Sequence, residues 1–86
     1  MKNKQNFEEN AGYLIFKKEN YCKQYGICIG TNKSGFVTWH YANFENAPTS
    51  YFWGHYFTNK QQAMYDYHTR LAREYESLGE LLEKEP

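Results

Sequence analysis

Cysteine is scarce. The chain has two, Cys22 and Cys28, and their spacing is not the Cys-x2-Cys of a zinc ribbon. Signed charge is absent in bulk: the formal net charge is zero, so no overall field draws nucleic acid or a membrane. No apolar run approaches the ~18 residues that span a bilayer. The start, Met1 to Asn6, lacks the apolar stretch of a signal peptide. The chain therefore reads as cytoplasmic, with both thiols reduced. Missing too are a phosphate loop, a paired-carboxylate motif and a Gly-x-Ser-x-Gly elbow. Catalysis is not expected, and neither is a cofactor.

Aromatics are what the chain has in excess. Seventeen of 86 residues are Phe, Trp or Tyr. Many fall in two runs, Phe36-Val37-Thr38-Trp39-His40-Tyr41 and Tyr51-Phe52-Trp53-Gly54-His55-Tyr56-Phe57. A single domain of this length buries little more than ~60% of its unfolded surface. Large rings compensate, each removing ~150–250 Å² from water.

The order of elements follows from periodicity. Gly12 to Lys18, Gln24 to Gly30, Phe36 to Tyr41 and Tyr51 to Phe57 read as strands. Thr31 to Gly35 is a turn, because Asn and Gly accept positive φ, and Pro48 marks a loop. Thr58 and Gln61 fit a capping box. Met64, Tyr67, Leu71, Tyr75, Leu78 and Leu82 then form an apolar stripe, with Ala63 beside them. The expected class is α+β: a four-stranded antiparallel meander with one C-terminal amphipathic helix packed on one face. Residues 1–11 read as a flexible arm, 12–78 as the domain and 79–86 as an acidic tail, with Gly79 ending the packed helix.

Strict alternation puts Val37, Trp39 and Tyr41 on one face, and Phe36, Thr38 and His40 on the other. It likewise groups Tyr51, Trp53, His55 and Phe57 against Phe52, Gly54 and Tyr56. One helix covers one face. The other is expected to show rings to solvent, a partner, a second copy, or the arm through Phe7. Gly54 inside an aromatic strand reads as a bulge or a gap that accepts a neighbouring ring.

Other candidates have plainer readings. His40, His55 and His68 lack metal-ligand spacing. A nucleophilic pair of Cys28 with His40 or His55 needs hydrogen-bond reach and a substrate groove, whereas Cys28 reads as a small buried hydrophobe. Asp66 and Arg70 form an i,i+4 pair on a solvated helix face. Arg70 and Arg73 could alternatively reach a partner, since Arg is a common interface anchor. Charge is uneven: up to Phe44 there are six Lys and three Glu, and from Glu45 four Lys/Arg against seven Asp/Glu. Lys17, Lys18, Lys23 and Lys33 could meet phosphates while the rings stack bases.

The elements Phe36-Val37-Thr38-Trp39 and Tyr51-Phe52-Trp53-Gly54-His55-Tyr56, followed by a helix with Ala63, Asp66 and Arg70, resemble a known group. It comprises small uncharacterised accessory proteins of conjugative transposons, plasmids and phages of Gram-positive bacteria. The resemblance spans about residues 12–75, and carries no established active site. It implies an accessory role, of which inhibition of host defence (anti-CRISPR or anti-restriction) is one form. The expected function is a non-enzymatic module that binds a host protein or nucleoprotein complex through Trp39, Tyr51, Trp53, Tyr56, Arg70 and Arg73. Single-stranded nucleic-acid binding and homodimerisation are the alternatives.

Overall fold

The computed structural model describes residues 8–83. Five strands and one helix follow in order: β1 (Glu8–Asn10), β2 (Tyr13–Asn20), β3 (Tyr25–Asn32), β4 (Gly35–Ala42), β5 (Ser50–Phe57) and α1 (Lys60–Glu83). The strands form one antiparallel sheet in sequence order. The class is α+β as expected, with five strands rather than four. The extra strand lies in what reads as an arm. Ala11 and Gly12 take φ of 51° and 82°, the paired positive values of a tight hairpin turn. Alanine there gives no sequence signal, unlike an Asn-Gly pair. The expected cover through Phe7 lies outside the described residues.

The β3–β4 turn is as read from the sequence. Asn32 Oδ1 accepts from the backbone N–H of Ser34 at 2.8 Å and of Gly35 at 3.1 Å. At the helix start the cap is one residue later than Thr58. Asn59 Oδ1 accepts from the Gln62 N–H at 3.0 Å, closing one of the orphan donors of the first turn. The helix runs through Gly79 to Glu83, so the acidic segment up to Glu83 continues it.

The helix packs Ala63, Tyr67 and Leu71 onto Ile27 and Ile29 of β3, with Phe16, Phe36, Phe57 and Met64 around them. Burying side chains of this kind contributes about 1.5–3 kcal/mol each. Tyr75 Oη donates to Glu19 Oε2 at 2.6 Å and pins the helix beside the end of β2.

The second face has its own core of Ile15, Cys28, Val37, Trp39 and Tyr41, flanked by Tyr13 and Tyr51. This corrects the expectation that the second face shows its rings to solvent or a partner: Tyr56 is exposed there, but Trp39 and Tyr41 are buried. Trp39 is only 4% exposed. The sheet curls until a side chain of each edge strand touches the other: Glu8 of β1 accepts from Tyr51 Oη of β5 at 3.2 Å, and also from Lys18 Nζ at 2.9 Å. Two bulges assist the curl. Phe16 is an extra residue in β2, and Trp53-Gly54 stand opposite Trp39 alone. Bulges bend the strand and raise its twist.

The β5 bulge also breaks the strict alternation read from the sequence. Tyr51 pairs with Tyr41 and Tyr56 with Val37, so both tyrosines are on the curled face. Phe52 pairs with His40 and His55 with Thr38, on the helix face. Gly54 is where the Trp39 ring lies closest. A Cβ there would stand 2.8 Å from Trp39 Nε1 and 2.9 Å from Tyr56 Oη. Gly54→Ala is therefore expected to destabilise the fold by about 1–3 kcal/mol through overpacking, read as a lower urea midpoint with an unchanged m-value. An unchanged midpoint would show that the Trp39 ring yields freely.

Candidate functional site

Trp53 takes φ of +56°. That left-handed conformation normally belongs to glycine, and a bulky residue holds it at a cost of about 1–3 kcal/mol. Its indole is nevertheless 69% exposed. Burial of the side chain therefore does little to offset the strain, and the neighbouring backbone contacts must do so.

Arg70 makes the principal contact. It projects from α1 onto β4 and β5 and is 8% exposed. Its Nη2 donates to the Trp53 carbonyl at 2.7 Å and stands 2.9 Å from His55 Nε2. Nη1 reaches the Thr38 carbonyl and Oγ1, each at 3.4 Å. Asp66, one turn earlier, lies 3.7 Å from Arg70 Nε. Asp66 Oδ2 also accepts from Thr38 Oγ1 at 2.6 Å and meets His55 Nδ1 at 3.0 Å.

The donors and acceptors fix the histidine tautomer. An arginine nitrogen has no lone pair, so His55 Nε2 accepts and its proton sits on Nδ1, facing Asp66. The result is a closed circuit of Arg70, His55, Asp66 and Thr38. An aspartate–histidine pair can serve a general base, but here the nitrogen that would take a proton already accepts from Arg70. The circuit holds the bulge rather than activating a nucleophile.

His40 sits behind this circuit, 7% exposed, with Nδ1 buried and without a hydrogen-bond partner. It stacks on Phe52 and meets the Trp53 and Tyr21 rings edge-on. Burial first, then the positive charge of Arg70, pushes its pKa down to about 4. Between α1 and β5 runs a groove of about 410 Å³, lined by His40, His55, Tyr65, Asp66, Thr69, Arg70, Arg73 and Glu74. Trp53 meets one of these lining residues, His40, ring edge to ring face at 5.1 Å between centroids.

The structure divides the six residues singled out from the sequence. Trp53 and Tyr56 are exposed, at 69% and 62%. Arg73 is exposed beside the groove. Tyr51 is half-buried and engaged with Glu8. Trp39 is inside the curl and cannot meet a partner without unfolding it. Arg70 is turned inward, not toward a partner, because the Asp66–Arg70 pair faces the sheet rather than solvent. Tyr65, 75% exposed at the groove, was missed, since an isolated helix tyrosine carries no distinguishing signal. His55 and Thr38 were missed as a pair because their pairing depends on the bulge.

Cys28 lies on the opposite face of the sheet from both His40 and His55, so neither pairing weighed for it forms, and Cys28 is the small buried hydrophobe expected. Burial pushes the Cys28 thiol up to about 12, and a thiol so poorly ionised is a weak nucleophile. Among the described residues no three His, Cys, Asp or Glu side chains converge as metal ligands. No helix of the described residues is long and apolar enough to cross a membrane.

Comparison with family models, with curated proteins and with solved structures gives no significant match.

Proposed function

We propose that the chain is a non-enzymatic protein-binding module and that the β5 edge with the adjacent groove is its contact surface. One observation carries this reading: an exposed tryptophan is held on a strained bulge by a buried guanidinium. Strain that tertiary contacts maintain clusters at functional positions, and Trp, Tyr and Arg dominate interface hot spots. Trp53 is the principal anchor in this reading. Tyr56, Tyr65 and Arg73 flank it, and the groove accepts a partner side chain. A narrower form of the proposal is an inhibitor of a host defence nuclease complex, of the anti-CRISPR or anti-restriction kind, acting by steric blockade. Its support is the resemblance to mobile-element accessory proteins. Single-stranded nucleic-acid binding through the same rings and the strand lysines is less favoured, because Trp39 is buried in the curl and Tyr51 is engaged with Glu8, leaving Trp53 and Tyr56 alone to stack bases.

The test is capture from bacterial lysate with and without nuclease, followed by binding of the purified partner to Trp53→Ala. The partner is expected to survive nuclease. Trp53→Ala should lose at least ~10-fold in affinity, in line with hot-spot truncations, while its denaturation midpoint barely moves. Equal affinity of the folded variant removes Trp53 as the anchor. Capture that vanishes with nuclease shifts the mechanism to Lys17 and Lys18. Self-association alone makes the surface a homodimer interface.

A further inference from the structure

The nitrogen of Arg70 that holds the Trp53 carbonyl is the same one that donates to His55. Nη2 carries two hydrogens. One goes to Trp53 O at 2.7 Å and the other to His55 Nε2 at 2.9 Å. The second bond exists only while Nε2 keeps its lone pair. We propose that His55 is a proton-operated latch: protonation at Nε2 turns Arg70 Nη2 away and releases the Trp53 bulge, so that the β5 surface is presented at neutral pH and loosened on acidification. The binding consequence rests on the function proposed above; the latch itself does not.

Groups from α1 and β4 face His55. From α1 come Asp66 and Arg70, with Tyr65, Arg73 and Glu74 along the same groove. From β4 comes His40. Thr38 acts through Asp66. With His55 neutral, its Nδ1–H faces Asp66 and its Nε2 accepts from Arg70. With His55 charged, the Asp66 side strengthens, but N–H then opposes N–H at the Arg70 side, and two cations stand side by side. Protonation thus exchanges partners instead of merely weakening the cluster. Held to Asp66 through Nδ1–H, the charged imidazole stays beside the guanidinium and pushes it from the bulge. Histidine is the side chain that ordinarily changes charge between ~pH 5 and 8. His40 does not compete, because burial and the charge of Arg70 keep it neutral in the fold down to about pH 4.

The strain at Trp53 gives the latch its output. Without the Arg70 bond, a tryptophan at φ +56° has little to retain it there, and the bulge samples other conformations.

The experiment is a ¹H–¹⁵N NMR titration of the protein alone from pH 7.5 to 5.5, with His55→Gln alongside. Glutamine offers Arg70 an acceptor that does not titrate. In the natural protein the Trp53 indole signal and the Gly54 amide should shift together with the His55 ring. Gly54 amide exchange, corrected for its intrinsic pH dependence, should rise about tenfold. In His55→Gln both should stay flat. Equal shifts in the two proteins, or none in the natural one, overturn the latch. Should His55→Gln not fold, the ring nitrogens of the natural protein decide: a neutral tautomer protonated at Nε2 overturns the proposal. No partner is needed, so failure to find one leaves this result standing. Conversely, a partner bound equally at both pH values through Trp53 sinks the regulation and keeps the binding surface.

Discussion

Replacing Arg70 with methionine is expected to destabilise the domain by about 3 kcal/mol, since each buried acceptor left without a donor costs ~1–3 kcal/mol. Methionine replaces the aliphatic stem, so the loss reports the guanidinium. Four acceptors lose their donor at once: the Trp53 and Thr38 carbonyls, Thr38 Oγ1 and His55 Nε2. The strain at Trp53 is no longer offset. Arg70→Lys separates charge from geometry. An ammonium is a point charge, whereas the planar fork of arginine spans β4 and β5 together. Lysine should recover part of the stability, while leaving Gly54 amide exchange as fast as in Arg70→Met. Urea denaturation gives the first quantity and hydrogen exchange the second. Arg70→Met as stable as the natural protein would reduce the circuit to an incidental surface contact. Asp66→Asn is the companion change: it removes the negative charge and keeps a carbonyl oxygen for Thr38 and His55.

That circuit was only partly legible in the sequence. The helix stripe, the meander and the Asn32–Gly35 turn all follow from local rules, because periodicity and turn chemistry act within a few residues. The division of β4 into Trp39 and His40 faces was legible for the same reason. What failed was the extension of strict alternation through β5. Gly54 announced a break, but the sequence cannot say that the extra residue places Phe52 and His55 on one face. From that single shift follow the exposure of Trp53 and the pairing of His55 with Thr38. The inward turn of Arg70 required a further fact, the azimuth of α1 on the sheet. Asp66 and Arg70 are spaced equally well for a solvated pair and for a buried one. Closure of the second face was invisible for another reason. It depends on Glu8, in a strand so short that its polar residues carry no strand signal, meeting Tyr51 far along the chain.

Acid should weaken the fold between roughly pH 6.5 and 4, and His40 should account for much of the loss. Its folded pKa is pushed down to about 4, by burial first and by Arg70 second, whereas an unfolded chain gives histidine its ordinary value near ~6.5. Within that window the unfolded state binds the extra proton and the folded state does not, so stability falls as pH falls. Above it neither state is charged and the full stability is present. Below it both are charged and this contribution levels off. The size follows from the gap at ~1.4 kcal/mol per unit, or about 3 kcal/mol. His40→Phe tests it, because phenylalanine keeps a ring between Phe52 and Trp53 and cannot take up a proton. Its stability should decline distinctly less than that of the natural protein over the same window. At pH 7.5 it should equal or exceed the natural protein, since His40 buries an Nδ1 with no partner and such an atom costs ~1–3 kcal/mol. His68→Gln, on the exposed helix surface, should follow the natural curve. Parallel declines in His40→Phe and the natural protein would assign the acid sensitivity elsewhere. The physical reason to expect His40 is first its burial, to which Arg70, already occupying the space behind Trp53, adds its charge. A second cation in that space would have to share Asp66 with it, and Asp66 is committed to Thr38 and His55.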